Sequence, residues 1–171
     1  MEKSKINEKI RAQLASKKNE EIADALNKIN ELALQEFMPD IARLYTLNND
    51  ADIRKQITSI FNDLKYKKAV PDFASLIRNE KNKETLLMLV SAAWQCGLDF
   101  SDHTEIFVPM LLSEDFILVF EAYTVLDSNI DFMDKVKSDE LRTSLVKIQN
   151  KIPDKIAPLY YGLLDRLNSV S

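Results

Sequence analysis

Glycine is very scarce in this sequence, with two residues in 171. Hairpin turns and phosphate-binding loops depend on glycine, so all-β folds and phosphate-cradling sites are disfavoured. Cysteine and histidine are scarcer still, with Cys96 and His103 the single examples. One cysteine excludes an internal disulfide, and a zinc site usually takes three or four His or Cys ligands. The sequence therefore predicts no metal, no other cofactor and a cytoplasmic location.

Long apolar runs are also missing. No stretch reaches the roughly 20 residues that a membrane-spanning helix needs, and residues 1–5 lack the apolar segment of a secretory signal. The net charge is −4. Residues 1–18 hold six Lys or Arg and two Glu, so residues 19–171 carry −8. Because nucleic-acid binding relies on basic side chains that neutralise phosphates, we expect neither a nucleic-acid partner nor a membrane partner.

Most of the acid lies in one part of the chain. From Asp99 to Glu140 there are eleven Asp or Glu against Lys135 and Lys137. This composition fits a solvated surface, and it also fits a docking face for a basic partner.

What the chain does have is a repeated helix start. A capping residue is followed two residues later by a carboxylate and seven residues later by an apolar residue. The intervals between the caps are 31, 32, 31 and 25 residues. A cap and an early carboxylate both stabilise the free N–H groups of a helix N-terminus. The predicted caps are Asn19, Asp50, Asn82, Ser113 and Ser138.

Prolines keep the same phase. Pro39, Pro71 and Pro158 follow their caps by 20, 21 and 20 residues, and Pro109 follows by 27. Proline suits the first turn of a helix, so Pro39 and Pro71 predict the start of a shorter partner helix in each unit. A period of this length with two helices per unit is typical of a solenoid.

The segment Asp50-Ala51-Asp52-Ile53-Arg54 resembles the acid, apolar and arginine opening of the second helix in HEAT repeats. The resemblance covers roughly residues 19–170 and implies a superhelical binding scaffold. In the later units, Leu86 and Ile117 occupy the position equivalent to Arg54. The resemblance therefore does not extend to a regular Asp–Arg ladder between repeats. The expected fold is all-α: a right-handed α-solenoid of about four to five HEAT-like helix pairs.

We expect one domain over residues 1–171, with residues 1–18 either a basic tail or a helix that caps the solenoid. Gly97 predicts the end of the central helix. Between Ser101 and Leu112 the apolar spacing favours a helix kinked at Pro109 over a loop without structure. The predicted long helices are 20–34, 51–66, 83–96, 114–127 and 139–150, followed by 154–169.

No pattern of catalytic residues emerges. Cys96 lies at an apolar position of its helix, which favours a buried, inert thiol, and His103 is expected at the surface. A Cys96–His103 nucleophile pair would lack any recognised context. The carboxylates Asp99, Asp102 and Glu105 do not match the spaced ligands and central glycine of a calcium loop. The sequence thus predicts no catalytic and no metal-binding residue.

The helices differ at equivalent positions five, eight and twelve residues after the cap. These positions are polar in the first two long helices and mostly apolar in the next two. Leu87 and Trp94 on one helix and Leu118 and Val125 on the next, with Glu121 between them, would form an apolar strip. Apolar residues at helical spacing usually belong to a core. The functional hypothesis is that this strip is partly exposed and binds a partner.

The predicted function is that of a non-enzymatic scaffold or adaptor that binds a protein or peptide, such as a basic amphipathic segment, along its long helices. One alternative is an enzyme or nucleic-acid-modifying protein on the same scaffold, which the acidic body disfavours. Another is an accessory subunit whose apolar strip is an oligomer interface.

Overall fold

The computed structural model describes residues 2–169, with side chains from Ser4 onward, so Met1 and the last two residues of the predicted domain lie outside it. The described residues form nine α-helices and contain no β-strand, which confirms the all-α fold class. The helices are α1 Glu2–Leu14, α2 Asn19–Glu31, α3 Met38–Leu47, α4 Ala51–Asn62, α5 Val70–Asn79, α6 Lys83–Gln95, α7 Phe116–Asn129, α8 Lys135–Ile148 and α9 Ala157–Ser169.

The elements pack in two layers. One layer, called the stack below, contains α2, α4, α6, α7 and α9, and each helix contacts the next in chain order. The second layer contains α1, α3, α5, the segment 101–112 and α8, again in contact in that order. Each element of the second layer also packs on its partner in the stack. The result is a solenoid of five pairs, as the repeat predicted.

Neighbouring stack helices run parallel, as α4 and α6 show at both of their ends. Near the N-termini, Arg54 pairs with Glu84 at 2.9 Å. At the C-termini, the side-chain amide of Asn62 donates to Gln95 at 2.9 Å. Parallel stacking gives successive helices one common outer surface, so differences between the helices become differences along that surface.

Two predicted caps hold their helices as expected. The carboxylate of Asp50 accepts from the N–H groups of Asp52 and Ile53, both at 3.0 Å. The side-chain oxygen of Asn82 accepts from the N–H of Thr85 at 3.0 Å. Pro39 and Pro71 also lie in the first turn of α3 and α5, as predicted.

The other three predicted caps are wrong. Asp115 caps α7, so Ser113 lies two residues too early. Asp134 caps α8, and Ser138 is buried inside that helix. Asn19 is the first residue of α2 rather than its cap. At both serines a nearby carboxylate, the stronger acceptor, takes the role predicted for a hydroxyl.

The error at Ser138 also changes the role of the last two helices. The sequence placed a long stack helix at 139–150, but α8 begins at Lys135 and contacts the segment 101–112, so it belongs to the second layer. The stack is completed by α9, which contacts α7. The short interval of 25 residues thus marks the second-layer helix of the fifth pair.

The segment 101–112 forms two short 3-10 helices, Ser101–Ile106 and Val108–Leu112, instead of one kinked α-helix. His103 breaks the helical path with φ −133°. Pro109 lies in the first turn of the second 3-10 helix, where its missing N–H costs nothing. Gly97 has φ +67°, the left-handed conformation predicted for the end of α6.

The α1 helix covers one end of the stack. Its Ile10 and Leu14 are buried in the common core, while most of its other described residues are exposed. The guanidinium of Arg11 lies over the ring of Phe37, 5.2 Å from its centroid, and near the carboxylate of Asp40. Such a polar outer face on a terminal helix protects the apolar faces beneath it.

A chain of aromatic rings joins the central pairs. The rings of Phe61 and Phe73 are 5.2 Å apart, those of Phe73 and Phe100 are 5.6 Å apart, and those of Phe100 and Phe107 are 6.0 Å apart. All four are fully buried. Because they come from α4, α5 and the chain around the segment 101–112, they tie three consecutive pairs into one core.

Substitution of Phe73 by alanine should lower the free energy of unfolding by about 3–5 kcal/mol, because the change leaves a cavity between two other rings. The control is Phe132→Ala, at a half-exposed phenylalanine, which should cost less than about 1 kcal/mol. Urea unfolding followed by circular dichroism measures both. Equal losses in the two variants would contradict a continuous aromatic core.

Candidate functional site

The single cysteine and the single histidine lie in different parts of the structure, Cys96 directly after α6 and His103 in the first 3-10 helix. Cys96 is 4% exposed at the end of α6, and its thiol donates to the carbonyl of Ala93. Burial raises the pKa of this thiol, so little thiolate exists near neutral pH. His103 is half-buried in the first 3-10 helix. Within residues 4–169 no three His, Cys, Asp or Glu side chains are grouped so that they could hold a metal ion.

The acidic segment 99–140 is largely engaged within the protein. Asp102 pairs with Lys137 at 2.8 Å, and this hydrogen bond lowers the pKa of the Asp102 carboxyl. Asp127 and Asp131 both pair with Arg166 at 2.7 Å. Glu105 pairs with Arg78, Asp139 pairs with Arg142, and Asp115 and Asp134 cap helices. Much of this acid therefore has a structural role, and the whole segment is not one free acidic face.

The predicted strip is only partly at the surface. Trp94 is 38% exposed, and Leu87 is half-buried beside it on α6. Leu118 is half-buried and packs against the core. Val125 is 1% exposed, so its placement in an exposed strip is wrong. The face of α7 that carries Val125 is turned into the protein between its neighbours α6 and α9.

The outer face of α7 carries other apolar residues that the sequence reasoning missed. Ile117 is 59% exposed, Phe120 is 48% exposed and Phe116 is half-exposed. The sequence prediction omits them because it takes Ser113 as the cap of α7 and compares the helices at fixed distances from the cap. Five residues after the true cap, Asp115, comes Phe120, which corresponds to Leu87 on α6. Asp115, directly before the apolar run that opens α7, is the signal that identifies Phe120 as an outer-face residue. Counting from Asp115 still does not select Glu121, because α6 and α7 are offset along their axes and Trp94 in the last turn of α6 meets Glu121 in the second turn of α7.

A shallow groove runs across three stack helices at this surface. Arg54 and Thr58 of α4 form one wall, and Ile117 and Glu121 of α7 form the other. Between them α6 presents Leu87, with Glu84, Met88 and Ser91 as further lining residues. Tyr45 of α3 closes the groove beside Arg54. The groove thus has an apolar middle and a charged group on each wall.

The charge on the α4 wall is held internally. The guanidinium of Arg54 bonds to Glu84 at 2.9 Å and to the carbonyl oxygen of Asn48 at 2.7 Å. Its carbon lies 4.9 Å from the centroid of the Tyr45 ring, in cation–π geometry. Arg54 is therefore fixed in place and its charge is offset by a carboxylate.

The charge on the α7 wall has a different environment. Glu121 is half-buried, and its Oε2 atom accepts the indole N–H of Trp94. Within the described part of the chain, Glu121 forms no ion pair and its Oε1 atom accepts no hydrogen bond. The Glu121 carboxylate, at the junction of α6 and α7, therefore accepts a hydrogen bond from one uncharged donor and lies next to the exposed apolar residues of α7.

The first two stack helices are joined by polar groups instead. The amide of Gln56 on α4 donates to the side-chain oxygen of Asn27 on α2 at 2.7 Å. Asn19 donates to Asp50 at 2.7 Å. This agrees with the polar-to-apolar change predicted along the long helices.

Comparison with known proteins gives likenesses in structure and none in sequence family. No protein-family model matches the chain, and no curated protein is significantly similar to it. Among solved structures, a designed armadillo repeat protein in complex with the peptide (KR)4 is 12% identical, with a TM-score of 0.47 over 94% of this chain and 86% of that chain. A de novo designed 16-helix transmembrane nanopore is 20% identical, with a TM-score of 0.25 over 98% of this chain and 54% of that chain. Likenesses this distant define neither a family nor a partner.

In residues 2–169 of this protein, no helix combines the length and apolarity required to span a bilayer.

Cys96 should react slowly with a thiol reagent in the native protein and rapidly in denaturant, because it is buried and its pKa is raised by that burial. The absorbance of the released chromophore measures both rates, and the denatured protein is its own control. Native labelling as fast as that in denaturant would show an accessible thiol and would reopen a nucleophilic role.

Proposed function

We propose that this protein is a non-enzymatic helical-repeat module that binds a segment of another protein across the outer surface of α6 and α7. The observation that carries the proposal is a set of exposed apolar side chains on two adjacent stack helices: Trp94 on α6, and Ile117 and Phe120 on α7, with Ile117 lining the groove. Single exposed apolar residues are ordinary, whereas a group of aromatic and aliphatic side chains on adjacent helices is typical of an interaction site.

The residue types support a protein partner. Tryptophan is enriched among the residues that dominate binding energy, and Trp94 bonds to Glu121, which lines the groove. Leu87 and Ile117 provide apolar contacts on two neighbouring helices. An amphipathic segment could lay its apolar face against these residues.

The charges near the groove favour a partner segment that carries Lys or Arg. Glu121 lines the groove, where Glu84 is already paired with Arg54, and Glu114 and Asp115 are exposed at the N-terminus of α7. Helix starts favour carboxylates, so this acidic edge follows from the way the stack is built. Opposite charge on a partner would steer its approach and favour it over acidic competitors.

Enzymatic and nucleic-acid alternatives have less support. The Cys96 thiol bonds to a backbone carbonyl rather than to a base. Residues 19–171 carry the −8 charge noted above, which opposes phosphate binding. A HEAT-type family assignment and a cytoplasmic location remain part of the proposal. The first is supported by the proline-started α3 and α5 in front of the acid-started α4 and α6.

The accessory-subunit alternative uses the same surface, because two copies could cover their apolar residues against each other. Sedimentation of the native chain and of Ile117→Asp distinguishes the two. A stable dimer that the substitution converts to a monomer would replace segment binding with self-association. A wild-type monomer leaves the surface open for another protein.

Ile117→Asp should abolish the capture of peptides from a displayed random library while changing the free energy of unfolding by less than about 1 kcal/mol, because the side chain is mostly exposed. The matched control is Val146→Asp on α8, an aliphatic residue of similar exposure in the other layer. Peptide recovery is measured by sequencing and stability by thermal melting. Equal recovery on the two variants would overturn the proposal.

Trp94→Ala should also abolish capture, and it should cost less than the roughly 3–5 kcal/mol typical of a fully buried tryptophan. Trp94 is the only tryptophan, so its fluorescence reports on this surface alone. A red-shifted emission that quenchers reach in the free protein is expected. A large loss of stability together with quencher-resistant emission would show that Trp94 is a core residue.

A further inference from the structure

We infer that Trp94 and Glu121 together form the subsite that selects a lysine or arginine side chain of the bound segment. The inference rests on the proposed function and deepens it, because it assigns the recognition of the basic residue to one ring and one carboxylate at the α6–α7 junction.

The two side chains already adjoin. Trp94 lies in the last turn of α6 and Glu121 in the second turn of α7, and the indole N–H donates to Oε2 of the carboxylate. More than a third of the tryptophan surface is open to solvent. A cation placed here could contact the ring and the carboxylate at the same time.

The groove contains a filled example of the same arrangement. At its other end Arg54 lies over the Tyr45 ring and bonds to Glu84, so a ring, a cation and a carboxylate form one unit. At the α6–α7 end a ring and a carboxylate are present, Trp94 and Glu121, but the described chain supplies no cation. The bound segment would supply the third member.

At the two neighbouring junctions of the stack, unlike the α6–α7 junction, a carboxylate is paired with an arginine. Between α4 and α6 the ion pair is Arg54 with Glu84, and between α7 and α9 it is Arg166 with Asp127. Both junctions offset their carboxylate with an arginine. At the α6–α7 junction a neutral indole takes that place, so the charge of Glu121 is not offset by a described cation.

The chemistry favours a basic side chain over other occupants. A hydrogen bond with a charged donor or acceptor is about twice as strong as one between neutral groups, and a Lys or Arg donor adds to it the attraction between opposite charges. Oε1 of Glu121 accepts no hydrogen bond from the described residues and can receive a Lys or Arg donor. A tryptophan face adds cation–π attraction, which an uncharged residue cannot match. An acidic residue at this position would be repelled by Glu121.

The test uses the full chain and a displayed library of random peptides about 14 residues long, enough for almost four helical turns. The targets are the wild type, Glu121→Gln and the control Glu140→Gln. The control makes the same change in net charge at an exposed position on α8, in the other layer. Thermal melting of each target confirms that it folds.

Peptides recovered on the wild type and on Glu140→Gln should be enriched in Lys or Arg at one position next to their apolar residues. On Glu121→Gln the apolar enrichment should persist and the basic enrichment should disappear. Basic enrichment retained on Glu121→Gln would overturn the inference and leave the proposed function standing. Basic enrichment lost on both variants would also overturn it, because net charge alone would then explain the preference. No recovery on the wild type above that on Ile117→Asp would overturn the proposed function itself.

A second measurement quantifies the contact. The strongest peptide and its version with the basic residue replaced by norleucine are titrated against the wild type and Glu121→Gln, with Trp94 fluorescence as the signal. The replacement should weaken binding to the wild type about tenfold, which is the effect of roughly 1.4 kcal/mol. On Glu121→Gln the same replacement should weaken binding less than about twofold. Equal losses on the two proteins would show that the cation does not contact Glu121.

Discussion

Each helix pair of this protein has an apolar face that only the next pair can cover, and this constraint organises the whole chain. The aromatic rings of Phe61, Phe73, Phe100 and Phe107 show it most directly, because they come from three consecutive units, contact one another in series and are all fully buried. The irregular segment 101–112 keeps its place for the same reason. Its backbone leaves the α-helical path, yet Ile106, Phe107 and Leu111 still fill the position of a second-layer helix.

Stacking in one direction has a consequence for the surface. Because successive stack helices run parallel, their acidic N-termini line one edge, and residues at equivalent phase form a continuous face. Along that face the contacts between helices change from paired amides, such as Asn27 with Gln56, to the indole of Trp94 and the carboxylate of Glu121. The groove and the exposed apolar residues lie where this change occurs. The proposed binding site is thus a local departure from an otherwise polar face.

Much of this could be predicted from the sequence, and the errors have a common origin. Asp50, Asn82, Pro39 and Pro71 were sufficient to fix the phase of α3 to α6, because a cap and a first-turn proline act on their own helix. At Ser113 the reasoning chose the first capping residue in the run, whereas Asp115 caps the helix. That shift of two residues rotated α7 by about 200° in the prediction. It brought Val125 into the strip and left Phe120 out.

The sequence by itself determined the all-α class, the repeated pairs, the buried thiol at Cys96 and the left-handed Gly97, because each depends on local backbone preference or on the periodic spacing of apolar residues. Only the tertiary structure decided which apolar side chains stay at the surface. Val125 and Ile117 are both apolar residues of α7, yet the packing of this helix leaves Val125 1% exposed and Ile117 59% exposed. The same packing brings Trp94 to Glu121, 27 residues apart in sequence, since two side chains on different helices meet only when the helices are stacked.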